Sequence, residues 1–288
     1  MTAGADPVEA IADDRLLPFT RHGSGEPLLL LHGLGTTRQD FDRILPILAT
    51  SYDVIAVDLP GQGEARGTDR HPTIGVLADA LEADLDARDL ARVHILGNSL
   101  GGRLALELAR RQRARSVVAI APSGLSILPE RVAQVAGMAL TATAVRVLRP
   151  LLPAASRHRA ARAVFEVGLR LRPWSTTKVE FDAFASGFGA ERFWRLLWWA
   201  IAADVPTRLD EIDCPVLLAQ GAGDWVASGQ TVRFLPCITG ARFRLLPLAG
   251  HAAHGDLPGE VVELVRETAA RSVAPRSGAR PVPHPAGI

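Results

Sequence analysis

The sequence predicts an α/β protein: a mostly parallel β-sheet covered by helices on both faces, with a helical block inserted before the last strands. Three observations carry that expectation. Unbroken apolar runs such as Pro27–Leu31 and Pro215–Gln220 alternate with helical stretches, the pattern of strands buried on both faces. The alternation stops at Pro122-Ser123-Gly124, and no strand pattern returns until about Arg208. The 288 residues suffice for one large domain, or for one domain carrying an insertion.

Residues 1–13 read as a loose leader, and Leu16–Thr20 as a short edge strand before the turn His22-Gly23-Ser24-Gly25. Pro27–Leu31 is a buried strand that ends in His32-Gly33-Leu34-Gly35. A helix is expected over Asp40–Thr50 and a strand over Tyr52–Val57, closed by Asp58-Leu59-Pro60-Gly61. Thr73–Leu90 is helical, with Leu77, Leu81 and Leu85 on one face. A strand from Val93, a helix over Leu100–Gln112 and a strand over Ser116–Ala121 follow. The inserted block holds helical patches at Glu130–Leu148, Ser156–Leu171, Thr176–Gly187 and Glu191–Ala203, punctuated by prolines. The sheet pattern then resumes with Pro215–Gln220, a helix near Gln230–Leu235, a strand at Arg242–Leu246 and a last helix at Pro258–Arg271. The core therefore comprises 14–122 and 209–272, the helical block 123–208, and the flexible termini 1–13 and 273–288.

Gly97-Asn98-Ser99-Leu100-Gly101 is a G-x-S-x-G turn between a strand and a helix. A serine on such a turn is exposed above the sheet, beside the N–H groups of a helix N-terminus. Serine catalysis needs a base and an acid that orients it. Of the eight histidines, His251 lies on a loop just past the last strand, on the sheet edge where Ser99 lies and ligands gather. His32 and His94 read as structural, and His254 and Asp256 are a poor start for a metal site. Asp224, four residues beyond Gln220, lies on the same edge, whereas Asp213 precedes its strand. The candidate catalytic set is Ser99, Asp224 and His251.

With these pieces in hand the chain resembles the α/β-hydrolase-fold enzymes, as a capped, carboxylesterase-like serine hydrolase. The matching residues are His32-Gly33, Asp58-Leu59-Pro60-Gly61, Gly97–Gly101, Asp224, and Gly250-His251 followed by His254 and Pro258. The resemblance implies a Ser-His-Asp triad, an oxyanion hole from the N–H groups of Leu34 and Leu100, and a cap at residues 123–208. Two departures stand out. Gly61-Gln62-Gly63-Glu64-Ala65 replaces the Gly-His-Gly-x-Ser common in relatives, a change expected to touch none of the triad. Ala252 and Gly35-Thr36-Thr37 stand where the meta-cleavage C–C hydrolases often carry Trp and Gly-Pro-Gly. Ser99 itself argues against the haloalkane dehalogenases and epoxide hydrolases, which use aspartate there.

Ester hydrolysis is therefore the expected activity, on a small to medium, apolar substrate. C–C bond hydrolysis or acyl transfer on the same triad is the alternative, and a non-catalytic ligand receptor the alternative from another class. Phe193, Trp194, Leu197, Trp198 and Ile201 recur at helical spacing, and Trp194, Trp198 and Trp225 are the candidate substrate-binding residues. A net charge of +1 gives no general case for nucleic acid or an anionic membrane, and the arginines from 146 to 172 read as a solvated face rather than an anionic-lipid or nucleic-acid site. With Cys214 and Cys237 alone, no disulfide framework or zinc site is expected, and no cofactor. The absence of a signal-peptide pattern or a stretch of about 20 apolar residues leads to the expectation of a cytoplasmic protein without a membrane span.

Overall fold

A computed structural model of the chain describes residues 15–202, 204–227 and 229–273. The terminal segments set apart in the sequence, 1–13 and 273–288, lie outside the described residues except for Val273, the end of the last helix. Seven strands form one sheet: β1 (Phe19–His22), β2 (Glu26–Leu31), β3 (Tyr52–Val57), β4 (Val93–Asn98), β5 (Ala114–Ile120), β6 (Val216–Gly221) and β7 (Arg242–Leu246). Their spatial order is β1-β3-β2-β4-β5-β6-β7, with β1 antiparallel to β3 and every other pairing parallel. From β2 the chain passes to β3 on one side and later to β4 on the other. The carboxyl ends of β2 and β4 thus flank the crevice at which an open parallel sheet binds ligands.

The helices of more than two turns are α1 (Ile74–Ala87), α2 (Leu100–Arg110), α3 (Leu128–Val147), α4 (Arg159–Glu166), α5 (Lys178–Gly189) and α6 (Pro258–Val273). The two-residue period of β2 divides the core. Leu29 and Leu31 join Ile95 and the apolar faces of α1 and α2, while Leu28 and Leu30 join Phe41, Ile44 and Val261 of α6. The helices α3, α4 and α5 lie between β5 and β6 in the chain, where the strand pattern is missing from the sequence.

Several local expectations shift. The edge strand is Phe19–His22 rather than Leu16–Thr20. The helix expected over Asp40–Thr50 is a 3-10 turn, Arg38–Phe41, and one separate turn, Leu45–Leu48. Pro46 in that second turn supplies no N–H, and the Asp40 side chain is drawn into a buried ionic cluster. The helix expected over Glu191–Ala203 is the single turn Phe193–Leu196 running into a wide π-helical turn, Leu197–Ala202, with Ala203 outside the described residues.

Candidate active site

Ser99 stands between β4 and α2 with φ 56° and ψ −113°, a conformation that costs a non-glycine residue on the order of 1–3 kcal/mol. Backbone bonds hold it there: Ser99 N–H donates to Ile120 O at 2.8 Å, and Arg103 N–H donates to Ser99 O at 3.0 Å. The flanking glycines are steric necessities. A Cβ on Gly97 would lie 2.2 Å from Gly101 O, and one on Gly101 would lie 2.0 Å from Leu31 O. Only bare backbone lets α2 start this close to β2.

His251, beyond β7, has its Nδ1 3.0 Å from Asp224 Oδ2. The other carboxylate oxygen accepts the N–H groups of Val226 at 2.9 Å and Ala227 at 3.0 Å. Burial alone would raise the Asp224 carboxyl, but the His251 ring and these N–H groups outweigh it and hold it below the usual range. With Nδ1 occupied by Asp224, Nε2 is the nitrogen left for a reacting group. Asn98 adds a tie: its side-chain N–H donates to His251 O at 2.9 Å, linking the histidine loop to the residue before Ser99. An imidazole held by a carboxylate, lining the same cavity as a strained serine at a helix N-terminus, is an arrangement that can deprotonate a hydroxyl for attack.

Ser99 and His251 line one cavity, whose empty space including its open mouth is about 670 Å³. Leu34, Met138, Leu169, Phe184, Phe188 and Trp225 make its apolar wall, and Asp40, Glu166, Arg170 and Glu180 a polar end. Leu34 is on that wall, whereas Leu100, at the head of α2, is fully buried. Of the three tryptophans singled out in the sequence, Trp225 lines the cavity and donates its indole N–H to Gly168 O. Trp194 and Trp198 do not join it among the described residues, and are 40% and 60% exposed. Phe193, Leu197 and Ile201 take the buried line of that segment, so the neighbouring line carrying the two tryptophans turns outward.

Residues 26–258 match the family model described as the alpha/beta hydrolase fold. The chain belongs to that family. Solved relatives share the architecture: the enol-lactonase of Burkholderia xenovorans LB400, with a TM-score of 0.71 and 20% identity, covers 88% of this chain and 96% of its own. A hydrolase from Pseudomonas aeruginosa PA01 has a TM-score of 0.69 and 25% identity over 87% of this chain and 92% of its own. Among curated proteins, the magnesium-chelatase 30 kDa subunit of Rhodobacter capsulatus is 29% identical over 251 residues, 82% of this chain and 84% of the relative. An acetyltransferase component of the Pseudomonas putida acetoin cleaving system is 36% identical over 126 residues, 42% of this chain. The match spans only 34% of that relative, and 29% of its Cupriavidus necator counterpart.

In this α/β hydrolase three further residues, given no such role from the sequence, brace the site. Gln62, at the departure from the common loop, accepts Gly35 N–H on Oε1 at 2.7 Å. The altered loop therefore holds the backbone at Gly35, beside the glycine-rich turn, while bonding none of the three candidate catalytic residues. That backbone is also pressed by α5. A Cβ on Gly35 (φ +82°) would lie 2.5 Å from the Phe188 ring, and one on Gly187 would lie 2.4 Å from Gly35 O.

Asp256 is the second brace. Its Oδ2 accepts Gly250 N–H at 2.8 Å and Leu171 N–H at 2.9 Å, and its Oδ1 accepts Arg172 N–H at 3.0 Å. One carboxylate thus joins the helical insertion to the residue before His251. Arg170 is the third. Its guanidinium reaches Glu166 at 3.2 Å, Glu180 at 3.0 Å and Asp40 at 3.2 Å, all buried. Asp40 also lies 3.0 Å from His254 Nε2. Burial pushes the Glu166 carboxyl up to about 7, whereas His254 and Arg170 overcome burial at Asp40 and draw it to about 2. The i,i+4 spacing of Glu166 and Arg170 was the only sequence signal of this cluster. No group of three or more His, Cys, Asp or Glu suited to a metal occurs among the described residues.

Proposed function

We propose that this chain is a serine hydrolase that cleaves a carboxylic ester of an apolar substrate, with Ser99 as nucleophile, His251 as general base and Asp224 as its orienting acid. The observation that carries this is the single cavity lined by Ser99 and His251, with His251 Nδ1 on the buried Asp224 carboxylate. Ser99 Oγ attacks the ester carbonyl while His251 Nε2 takes its proton. Asp224 remains ionised and stabilises the imidazolium. The N–H groups of Leu34 and Leu100 receive the oxyanion, each such donor being worth roughly 3 kcal/mol. His251 then protonates the leaving alcohol, and water, activated by the same histidine, releases the acid from the serine. The helices between β5 and β6 act as a cap whose α3 and α5 side chains select the substrate.

Relatives with ester-cleaving names support this reading. A pimeloyl-[acyl-carrier protein] methyl ester esterase of Neisseria meningitidis is 45% identical over 82 residues, 28% of this chain. One curated relative that matches along most of the chain favours a second reading: it is a magnesium-chelatase subunit, so this chain would serve an assembly by holding a ligand in the same cavity. A fluorophosphonate probe and a p-nitrophenyl ester series separate the two. Hydrolysis requires the wild-type protein to turn over the ester and to take up one probe at Ser99, and Ser99→Ala to do neither. An unlabelled wild type, or a Ser99→Ala variant of full activity, would overturn the assignment. Products measured with added alcohol distinguish hydrolysis from acyl transfer.

A further inference from the structure

The helix α3 presents an apolar face to the outside. Leu128, Val132, Ala136, Leu140, Thr143 and Val147 succeed one another at spacings of three and four, and all are exposed. Leu128 and Leu140 are each 73% exposed and Val147 is 71% exposed, while the polar Gln134 is buried. A helix on a solvated surface carries its charges on that side. Further along the chain Leu151, Val164 and Val167 are exposed as well.

Its charge is equally one-sided. Between Arg131 and Phe165 the sequence has six arginines (Arg131, Arg146, Arg149, Arg157, Arg159 and Arg162) and no aspartate or glutamate; of the two acids that flank this run, Glu130 is paired with Arg233 and Glu166 is buried. Arg146, Arg149 and Arg157 are exposed and form no ion pair among the described residues. Arginines by themselves suit a solvated face; interleaved with exposed leucine and valine they do not. A second copy of this face would set arginine against arginine, and a nucleic acid would leave the leucines in water. An anionic lipid surface satisfies both, since the apolar side chains enter the acyl boundary and the guanidiniums meet the headgroups. No single helix among the described residues is long and apolar enough to cross a membrane, and α3 is bent by 61° from the segment that follows it. The element therefore suits lying on a bilayer.

We propose that α3 and the chain onward to Val167 form a docking face for an anionic membrane surface. Gly137, Met138 and Thr141, also on α3, line the cavity, so the docked protein holds its pocket one helix away from the lipid. An apolar ligand would then enter without crossing bulk water.

Vesicle co-sedimentation tests this directly. Wild-type protein should pellet with vesicles of phosphatidylcholine and phosphatidylglycerol, and much less with phosphatidylcholine alone or in high salt. The triple variant R146Q/R149Q/R157Q should lower the partition coefficient on the order of a hundredfold, from about 1 kcal/mol for each arginine at the surface. Leu128→Ser with Leu140→Ser should lower it as well. Unchanged thermal unfolding by circular dichroism would show that both variants are folded. Wild type that stays in the supernatant with anionic vesicles, or variants that pellet as wild type does, would overturn the proposal. So would light scattering that shows a dimer dissolved by Leu140→Ser together with no vesicle binding.

Discussion

Replacing Asp256 by asparagine changes one buried atom and should affect both the stability of the protein and the position of His251. The carboxylate accepts three backbone N–H groups, from Gly250, Leu171 and Arg172. An asparagine oxygen in the place of Oδ2 keeps the first two as neutral bonds. The amide nitrogen then faces Arg172 N–H, donor against donor. Losing one hydrogen bond to a charged acceptor costs roughly 1.5–3 kcal/mol, and weakening the other two adds about 1 kcal/mol. Urea unfolding of Asp256→Asn should therefore give a loss of about 3 kcal/mol. The orphaned donor lies in the insertion, and the weakened Gly250 bond directly precedes His251. A displacement of about 1 Å at a catalytic group can cost on the order of a hundredfold. Turnover of a p-nitrophenyl ester, measured well below the melting temperature, should fall roughly ten- to hundredfold. A variant within about 0.5 kcal/mol of wild type and equally active would refute the coupling.

Gln62→Ala removes the acceptor for Gly35 N–H, one residue from Leu34, and should lower kcat by roughly tenfold with little change in KM, as expected for a donor used only in the transition state; a change confined to KM would count against it. Glu166 carries its proton up to about pH 7 in the folded protein but only to about 4.5 when unfolded. The native state thus binds more protons between those values, so stability is full below the lower one and is lost as pH rises through the upper. Urea titrations across this range should show wild type losing up to about 3 kcal/mol relative to Glu166→Gln, and parallel curves would contradict the shift.

Much of the core was legible because its signals are local. Gly97 and Gly101 are read from spacing, and the structure supplies the reason in the approach of α2 to the backbone of Leu31. Asp224 and His251 each follow a parallel strand, and position relative to a strand end is itself a sequence observable. The polar end of the cavity was not legible. Asp40, Glu166, Arg170 and Glu180 come from segments up to 140 positions apart in the chain, and none of those segments has a period that marks it as pocket wall. The tryptophans misled for a related reason. Trp194 and Trp198 share a helical line with each other but sit one position away from the buried line of Phe193 and Leu197. The role of Gln62 was hidden because its partner, Gly35 N–H, belongs to a different loop.

The backbone contact between Gly35 and Gly187 bears on how such a protein can be altered or inherited. Gly187 leaves room for the main chain of Gly35, and Gly35 for the ring of Phe188, so neither position tolerates a side chain while α5 stays in place. The helical insertion is for that reason no interchangeable module. A chimera that imports α3 to α5 from a relative would have to bring the Gly33–Gly35 loop and Asp256 with it. Variation that retunes the pocket is then channelled to Met138 and Thr141, pocket-lining side chains that take no part in the seam.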